Sequence, residues 1–191
     1  MSKLTPALGE RPLWRSNNIL VDFVDADKLI KEGEKVTLMN WGNVQIKTKQ
    51  LQPDGSYLMQ GEFLKEDKDF KSTAKVTWLA DGTNLLTAEL VEYDHLIKTK
   101  KVDEDVDFEN IVNVNSKFSA LYYVDNHIRT LNAGQFLQFE RKGYYKIDSV
   151  VQAGNDLKYT LIYTPDGKAV GLNSQGGLIT ENSEIKRETL E

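Results

Sequence analysis

Apolar and polar residues alternate in short runs along most of the chain. In NILVDFVDAD (18–27), Ile19, Val21 and Phe23 fall on one side of an extended backbone before the carboxylates Asp25 and Asp27. KVTLMNWGNVQIKTKQL (35–51) reads as a strand, a bend at Trp41-Gly42-Asn43, and a second strand. QPDGSYLMQGEFL (52–64) adds a Pro-Asp-Gly turn and another strand, and KVTWLADGTNLLTAELVEYDHLI (75–97) adds two more around Asp-Gly. FLQFERKGYYKIDSVV (136–151) and LKYTLIYTPDGKAV (157–170) complete the series. Runs of this kind at roughly 8–12-residue spacing predict an all-β barrel or sandwich.

Helical periodicity is thin. ADKLIKEGE (26–34) suits one or two turns stopped at Gly33. DEDVDFENIVNVNSKF (103–118) predicts a short helix, with acids at its start and a loose stripe of Val106, Ile111 and Val114. The segment from Gly171 to Glu191 is polar and contains glycine, which predicts a mobile tail. No tandem repeat or low-complexity segment stands out.

Composition acts mainly by exclusion. The 191 residues suffice for one large or two small domains, and 40% hydrophobic against 28% charged residues allows a packed core. There is no run of 18 apolar residues, and the start MSKLTPALGERP lacks an apolar h-region, so neither a membrane span nor a secretory signal is expected. Cysteine is absent, which removes disulfides and thiolate metal sites and fits a reducing compartment. The two histidines, His95 and His127, have no second ligand at a familiar spacing, so no zinc site is expected. No G-x-S-x-G, P-loop or G-x-G-x-x-G pattern occurs, and Glu89 and Glu92 lack the partner that would mark an acid–base pair. The net charge of −5 makes the chain a poor polycation, so any RNA role needs a local basic face and base-specific contacts.

Most charged and aromatic candidates reduce to surface or packing. Lys98, Lys100 and Lys101 are screened by Asp103, Glu104, Asp105 and Asp107, and Lys65, Lys68, Lys71 and Lys75 alternate with Glu66, Asp67 and Asp69. Trp78 is expected in the core, while Trp41 either packs across its bend or stacks on a base; Trp14 carries no such context. In the hairpin 136–148 Gln138 and Arg141 stand among aromatics next to a tight turn, where pattern alone favours a solvated turn residue for Arg141 and an edge filler for Gln138 over a shared ligand. With Lys142-Gly143 as a two-residue loop, Arg141 faces Tyr144, Glu140 faces Tyr145 and Gln138 faces Ile147. A bulge at Gly143 would change that pairing. On an ideal strand Gln138 and Arg141 lie on opposite faces, and they converge on one ligand only if the strand twists or bulges.

Five separated blocks carry a resemblance: VTLMNWGN (36–43), KVTWLADG (75–82), VEYDHLIKTKKVDEDVDF (91–108), LNAGQFLQFERKGYYKID (131–148) and LIYTPDGK (161–168). In order and spacing they resemble the eukaryotic cytosolic glutamyl-tRNA synthetases, and PALGERPLW…ILVDFVDAD resembles the entry to their anticodon-binding region. The resemblance covers about residues 4–168. Glutaminyl enzymes share the architecture, but MNWGN, TWLA and YDHLI followed by KTKK are more similar to the glutamyl branch.

The resemblance implies two β-barrels: a distal one over residues 18–80, carried as an insertion by a proximal one built from 1–17 and 81–191, with a flexible tail. In glutaminyl-type relatives the Gln and Arg of a Q-F-E-R stretch hydrogen-bond the central anticodon uridine, and Gln138 and Arg141 match them. An amide both donates and accepts and a guanidinium supplies a fork of donors, which suits uridine's carbonyls and imino group. The relatives' third contact to that base lies upstream of this chain. Their first-base arginines align with Thr37 and Met39, and their third-base Lys-Arg pair with Lys28 and Leu29, so those contacts do not carry over. Asn40, Lys28 and Lys142 stand as further candidates beside Thr37 and Met39.

The His-Ile-Gly-His-like and Lys-Met-Ser-Lys-Ser-like signatures of class I catalysis are not in these residues. The resemblance therefore implies the tRNA-selecting region of a cytoplasmic glutamate–tRNA ligase, inactive alone and without its own cofactor, ATP being used by the catalytic domain of the parent enzyme. The implied partner is the tRNA(Glu) anticodon loop and stem, with neither membrane nor DNA. Two alternatives remain: a β-module that docks other synthetases or scaffold proteins in a multisynthetase complex, and the equivalent region of a glutaminyl enzyme.

Overall fold

The computed structural model describes residues 11–99, 102, 107–154 and 156–165. The expected tail from Gly171, along with Lys100, Lys101 and the acids 103–105, lies outside the described residues. The fold is all-β, with three sheets and two short α-helices among the described residues. The chain divides into two compact units, the first ending at Asn84 and the second starting at Leu85.

In the first unit β1 (Ile19–Val21) pairs antiparallel with β6 (Trp78–Ala80). The strand expected to reach Asp27 stops early. The Asp22 carboxylate accepts from the Val24 N–H at 3.0 Å, an N-cap that turns Phe23–Lys28 into helix α1. Helix α1 thus begins ahead of the 26–34 window. Its far end is closed by Lys49, whose ammonium donates to the carbonyls of Ile30 at 2.9 Å and Asp27 at 3.3 Å. A four-stranded sheet follows in the order β4-β3-β2-β5, from β2 (Lys35–Leu38), β3 (Gly42–Leu51), β4 (Tyr57–Leu64) and β5 (Ala74–Val76). Strands β2 and β5 run parallel. Ile30, Val36, Ile46 and Val76 form the core of this unit.

The second unit is a five-stranded sheet in the order β8-β7-β11-β10-β9. Its strands are β7 (Leu86–Tyr93), β8 (Lys117–Val124), β9 (Phe136–Phe139), β10 (Gly143–Ala153) and β11 (Asp156–Thr164), with β11 parallel to β7. Alternate residues Leu86, Ala88 and Leu90 point inward and pack with Val124, Ile128, Tyr145, Ile147, Tyr159 and Leu161. Residues 103–106 of the helix expected over 103–118 lie outside the described residues, and from Asp107 to Phe118 the chain forms one turn, α2 (Phe108–Ile111). Asp107 caps it through the Glu109 N–H, and Val112, already extended at ψ 132°, ends it.

The two units repeat one motif. In each, an aspartate after a strand caps a helical turn: Asp22 before α1, and Asp125, which accepts from His127 N–H at 2.8 Å. A glycine ahead of the hairpin then bonds across to the hairpin's second strand, Gly33 to the Ile46 carbonyl at 3.0 Å and Gly134 to the Ile147 carbonyl at 2.7 Å. The next strand ends on a residue paired directly with a glycine, Leu38 with Gly42 and Phe139 with Gly143. Finally the long strand slips register at matching places, Ile46/Thr48 and Ile147/Ser149. The sequence showed no repeat because, from Gly33 to Thr48 and from Gly134 to Ser149, only the two glycines and the isoleucine are shared. The likeness resides in backbone hydrogen bonds rather than in side chains.

Candidate nucleic-acid interface

The hairpin of β9 and β10 is the most distinctive surface of the second unit. Its connection is not the two-residue loop that the sequence suggested. The Lys142 N–H bonds the Phe139 carbonyl at 3.0 Å, so Glu140 and Arg141 occupy the turn and Gly143 pairs with Phe139. The register moves with it: Gln138 opposes Tyr144, not Ile147, and Phe136 opposes Lys146. Neither the Lys142-Gly143 loop nor a bulge at Gly143 is present: Gly143 pairs with Phe139, and the register of β9 against β10 runs unbroken from there to Phe136 and Lys146.

Arg141 has a φ of 66°, in the left-handed region where Asn or Gly fits at lower cost. It belongs to the turn rather than the strand, so the alternation that set it opposite Gln138 no longer applies. Both side chains are exposed to solvent. Lys142 is half-buried, and its ammonium lies 4.6 Å from the centre of the Tyr122 ring, back over the unit. Behind the turn Tyr145 meets Phe139 and Tyr163 edge-on at 5.4 and 5.5 Å, and its hydroxyl donates to Glu92 at 3.4 Å. Gly143 touches this cluster, since a Cβ there would lie 2.7 Å from the Tyr163 ring.

The outer face of the hairpin is different in character. Phe136 and Gln138 on β9 and Tyr144 and Lys146 on β10 are all exposed, Phe136 at 63% and Tyr144 at 43%. Directly opposed residues on antiparallel strands share a face. The Lys146 ammonium lies 6.0 Å from the centre of the Phe136 ring. Sequence reasoning named Gln138 but neither aromatic. The alternation within FLQF and YYK holds the signal, and it becomes readable only once the register is known.

The corresponding hairpin of the first unit places its candidates otherwise. Asn40, exposed at φ 62°, occupies the same turn position as Arg141. Thr37 is only 7% exposed; its hydroxyl donates to Asn43 at 2.6 Å and shares a hydrogen bond with Thr73. Asn43, fully buried, donates to the Asp69 carbonyl at 3.0 Å. Met39 is half-buried, and its carbonyl accepts from the Trp78 indole at 2.9 Å. Trp41 packs against Phe63 and Trp78 with ring centres 5.4 and 4.6 Å away, so it is used in packing across the bend. Lys28 is exposed in the last turn of α1. Beside this network Lys35 donates to Asp67 at 2.6 Å. That bond, together with the Asp69 N–H, holds the Asp67 carboxyl below the ordinary aspartate value, while the same bond raises Lys35. Among the described residues no group of three His, Asp or Glu side chains could hold a metal ion.

A family model described as tRNA synthetases class I (E and Q), anti-codon binding domain, matches residues 75–148, and a second of the same description matches residues 2–64. The chain belongs to this family. The first match contains the whole β9 strand and the turn with Gln138 and Arg141. Among relatives of this anticodon-binding family, the cytoplasmic glutamate–tRNA ligase of Saccharomyces cerevisiae is 39% identical over 88% of the chain and 23% of its own length. A probable cytoplasmic glutamate–tRNA ligase of Dictyostelium discoideum is 38% identical over 85% of the chain and 21% of its own length. The bifunctional glutamate/proline–tRNA ligase of Mus musculus is 33% identical over 96% of the chain and 13% of its own length. The chain thus spans less than a quarter of the length of these relatives, in their anticodon-binding region. No helix among the described residues is long and apolar enough to cross a membrane.

Proposed function

We propose that this chain is the tRNA-reading region of a cytoplasmic glutamate–tRNA ligase and that it selects tRNA(Glu) through its anticodon. In this reading Gln138 and Arg141 meet the edge of the central uridine, the amide giving and taking a hydrogen bond and the guanidinium donating. The ATP-dependent joining of glutamate to the acceptor end belongs to a catalytic domain of the longer ligase. Contacts far from the reacting atoms raise selectivity there when they are coupled to the transition state.

The observation that carries the proposal is the placement of two solvent-facing polar side chains at one hairpin turn, Arg141 in a conformation costly for any residue but Gly or Asn. Proteins read RNA sequence mainly from unstacked bases whose edges meet side chains of this kind. A stem-loop RNA carrying the glutamate anticodon should bind the chain with an affinity that falls as salt rises. It should bind better than the same loop with cytidine at the centre, and Gln138→Ala and Arg141→Ala should each erase that preference. Full binding and undiminished preference in both variants would remove the proposal and favour the docking module.

A further inference from the structure

We infer that Tyr144, with Phe136 beside it, forms the stacking floor for the base that Gln138 reads; the inference rests on the RNA-reading function proposed above. The internal repeat is what exposes it. Thr37 and Asn43 in the first unit occupy the hairpin positions that Gln138 and Tyr144 occupy in the second. In the first unit this face is covered by the chain itself: Thr73 bonds Thr37, the Asp69 carbonyl accepts from Asn43, and β5 runs alongside β2. In the second unit the equivalent face is open, and the buried hydroxyl and amide are replaced by an exposed amide and an exposed phenol ring.

The chemistry of the open face selects its occupant. An exposed amide competes with water for every hydrogen bond it offers, so edge recognition alone holds a base weakly. A ring on the neighbouring strand, with its Cβ about 5 Å from that of Gln138, adds a flat apolar surface within reach of the same base. Phe136 lies about 7 Å along β9 on the same face, and Lys146 brings a cation beside it for the backbone phosphate. Aromatic, amide and ammonium groups on one solvent-facing ribbon fit a single unstacked base of an RNA loop. Gln138 then sets which base is accepted and Tyr144 sets how firmly any base is held.

The two roles separate in one experiment on the full 191-residue chain. Dissociation constants would be measured by fluorescence anisotropy at fixed salt for three stem-loops, with uridine, cytidine or an abasic sugar at the centre of the glutamate anticodon. Tyr144→Ala should weaken the uridine loop about 5- to 150-fold, the span of a base–aromatic stack, and keep the uridine-over-cytidine ratio. Tyr144→Phe should bind as the parent chain does, Phe136→Ala should lose a smaller part, and all variants should bind the abasic loop alike. Circular dichroism of each variant establishes that it is folded before it is scored. Wild-type affinity in Tyr144→Ala, or an equal loss on the abasic loop, would overturn the stacking floor. If Gln138→Ala loses its uridine preference while Tyr144→Ala binds normally, the stacking floor alone fails and the parent reading stands. A parent chain indifferent to the central base removes both.

Discussion

Replacing Gly143 with alanine tests how the turn under the proposed reading site is built. Its φ of +125° is one that L side chains rarely adopt, at a cost of order 1–3 kcal/mol. The added Cβ would approach the Tyr163 ring to 2.7 Å, so the ring must move. That ring is edge-on to Tyr145, a contact worth about 0.5–1.5 kcal/mol beyond the area it buries. Together these terms set the loss at about 2–4 kcal/mol, a large part of a typical total stability of about 5–15 kcal/mol. Two other glycines divide the sum. Gly55→Ala carries strain alone, at φ +83° with nothing within 4 Å of the new Cβ, and should cost about 1 kcal/mol. Gly42→Ala carries contact alone, 2.8 Å from Phe63, and that ring is 42% exposed and can swing outward, so about 1 kcal/mol is expected. Urea unfolding gives the values. The three tryptophans precede Asn84, so their fluorescence follows the first unit, while seven of the eight tyrosines follow Leu85 and report the second by near-ultraviolet dichroism. A Gly143→Ala loss no greater than that of Gly55→Ala would refute the contact with Tyr163 as a determinant of the turn.

Three further outcomes are expected. Thr37→Val removes the hydroxyl that donates to the fully buried Asn43 and should cost about 1–3 kcal/mol by urea midpoint, with RNA affinity unchanged. Because Asp67 is held below the ordinary aspartate value, its contribution is present above that value and is lost as pH falls through its lower folded value. Lys35, raised, contributes below the ordinary lysine value and loses this as pH rises through its folded value. Urea midpoints measured from neutral to acid pH should therefore fall less steeply in Asp67→Asn than in the parent chain, and identical slopes would discount the pair. Arg141→Gly relieves a left-handed residue and should hold or raise stability by up to about 1 kcal/mol while weakening the uridine loop. A variant that is both less stable and unchanged in RNA binding would reverse the assignment of that strain to function.

What the sequence disclosed was mostly local. The Pro-Asp-Gly turn is present, with Asp54 accepting from the Ser56 N–H and hydroxyl, because its chemistry lies within a few residues. The strands of 35–64 and 136–164 were equally legible from alternation. The early end of β1 is not announced by the sequence, because an aspartate after three strand-like residues can extend a strand or cap a helix, and here the Asp22 carboxylate accepts from the Val24 N–H. The hairpin register was hidden by one residue: an arginine in a left-handed conformation gives no warning, whereas a glycine would have. The Thr37–Asn43–Thr73 network escaped because Thr73 reaches Thr37 through the parallel pairing of β5 with β2, and no spacing rule announces a parallel neighbour. Gln138 and Arg141 came from resemblance, while Tyr144 required the register.

The pairing of β1 with β6 sets Ile19 opposite Ala80, and the Asp81 N–H bonds the Asn18 carbonyl at 3.0 Å. Everything between enters and leaves through a single doorway. The entropic penalty of tying off an excursion between two such neighbouring points grows only with the logarithm of its length, so the sixty-odd residues from Ile19 to Ala80 add little by their number alone to the cost of closing it.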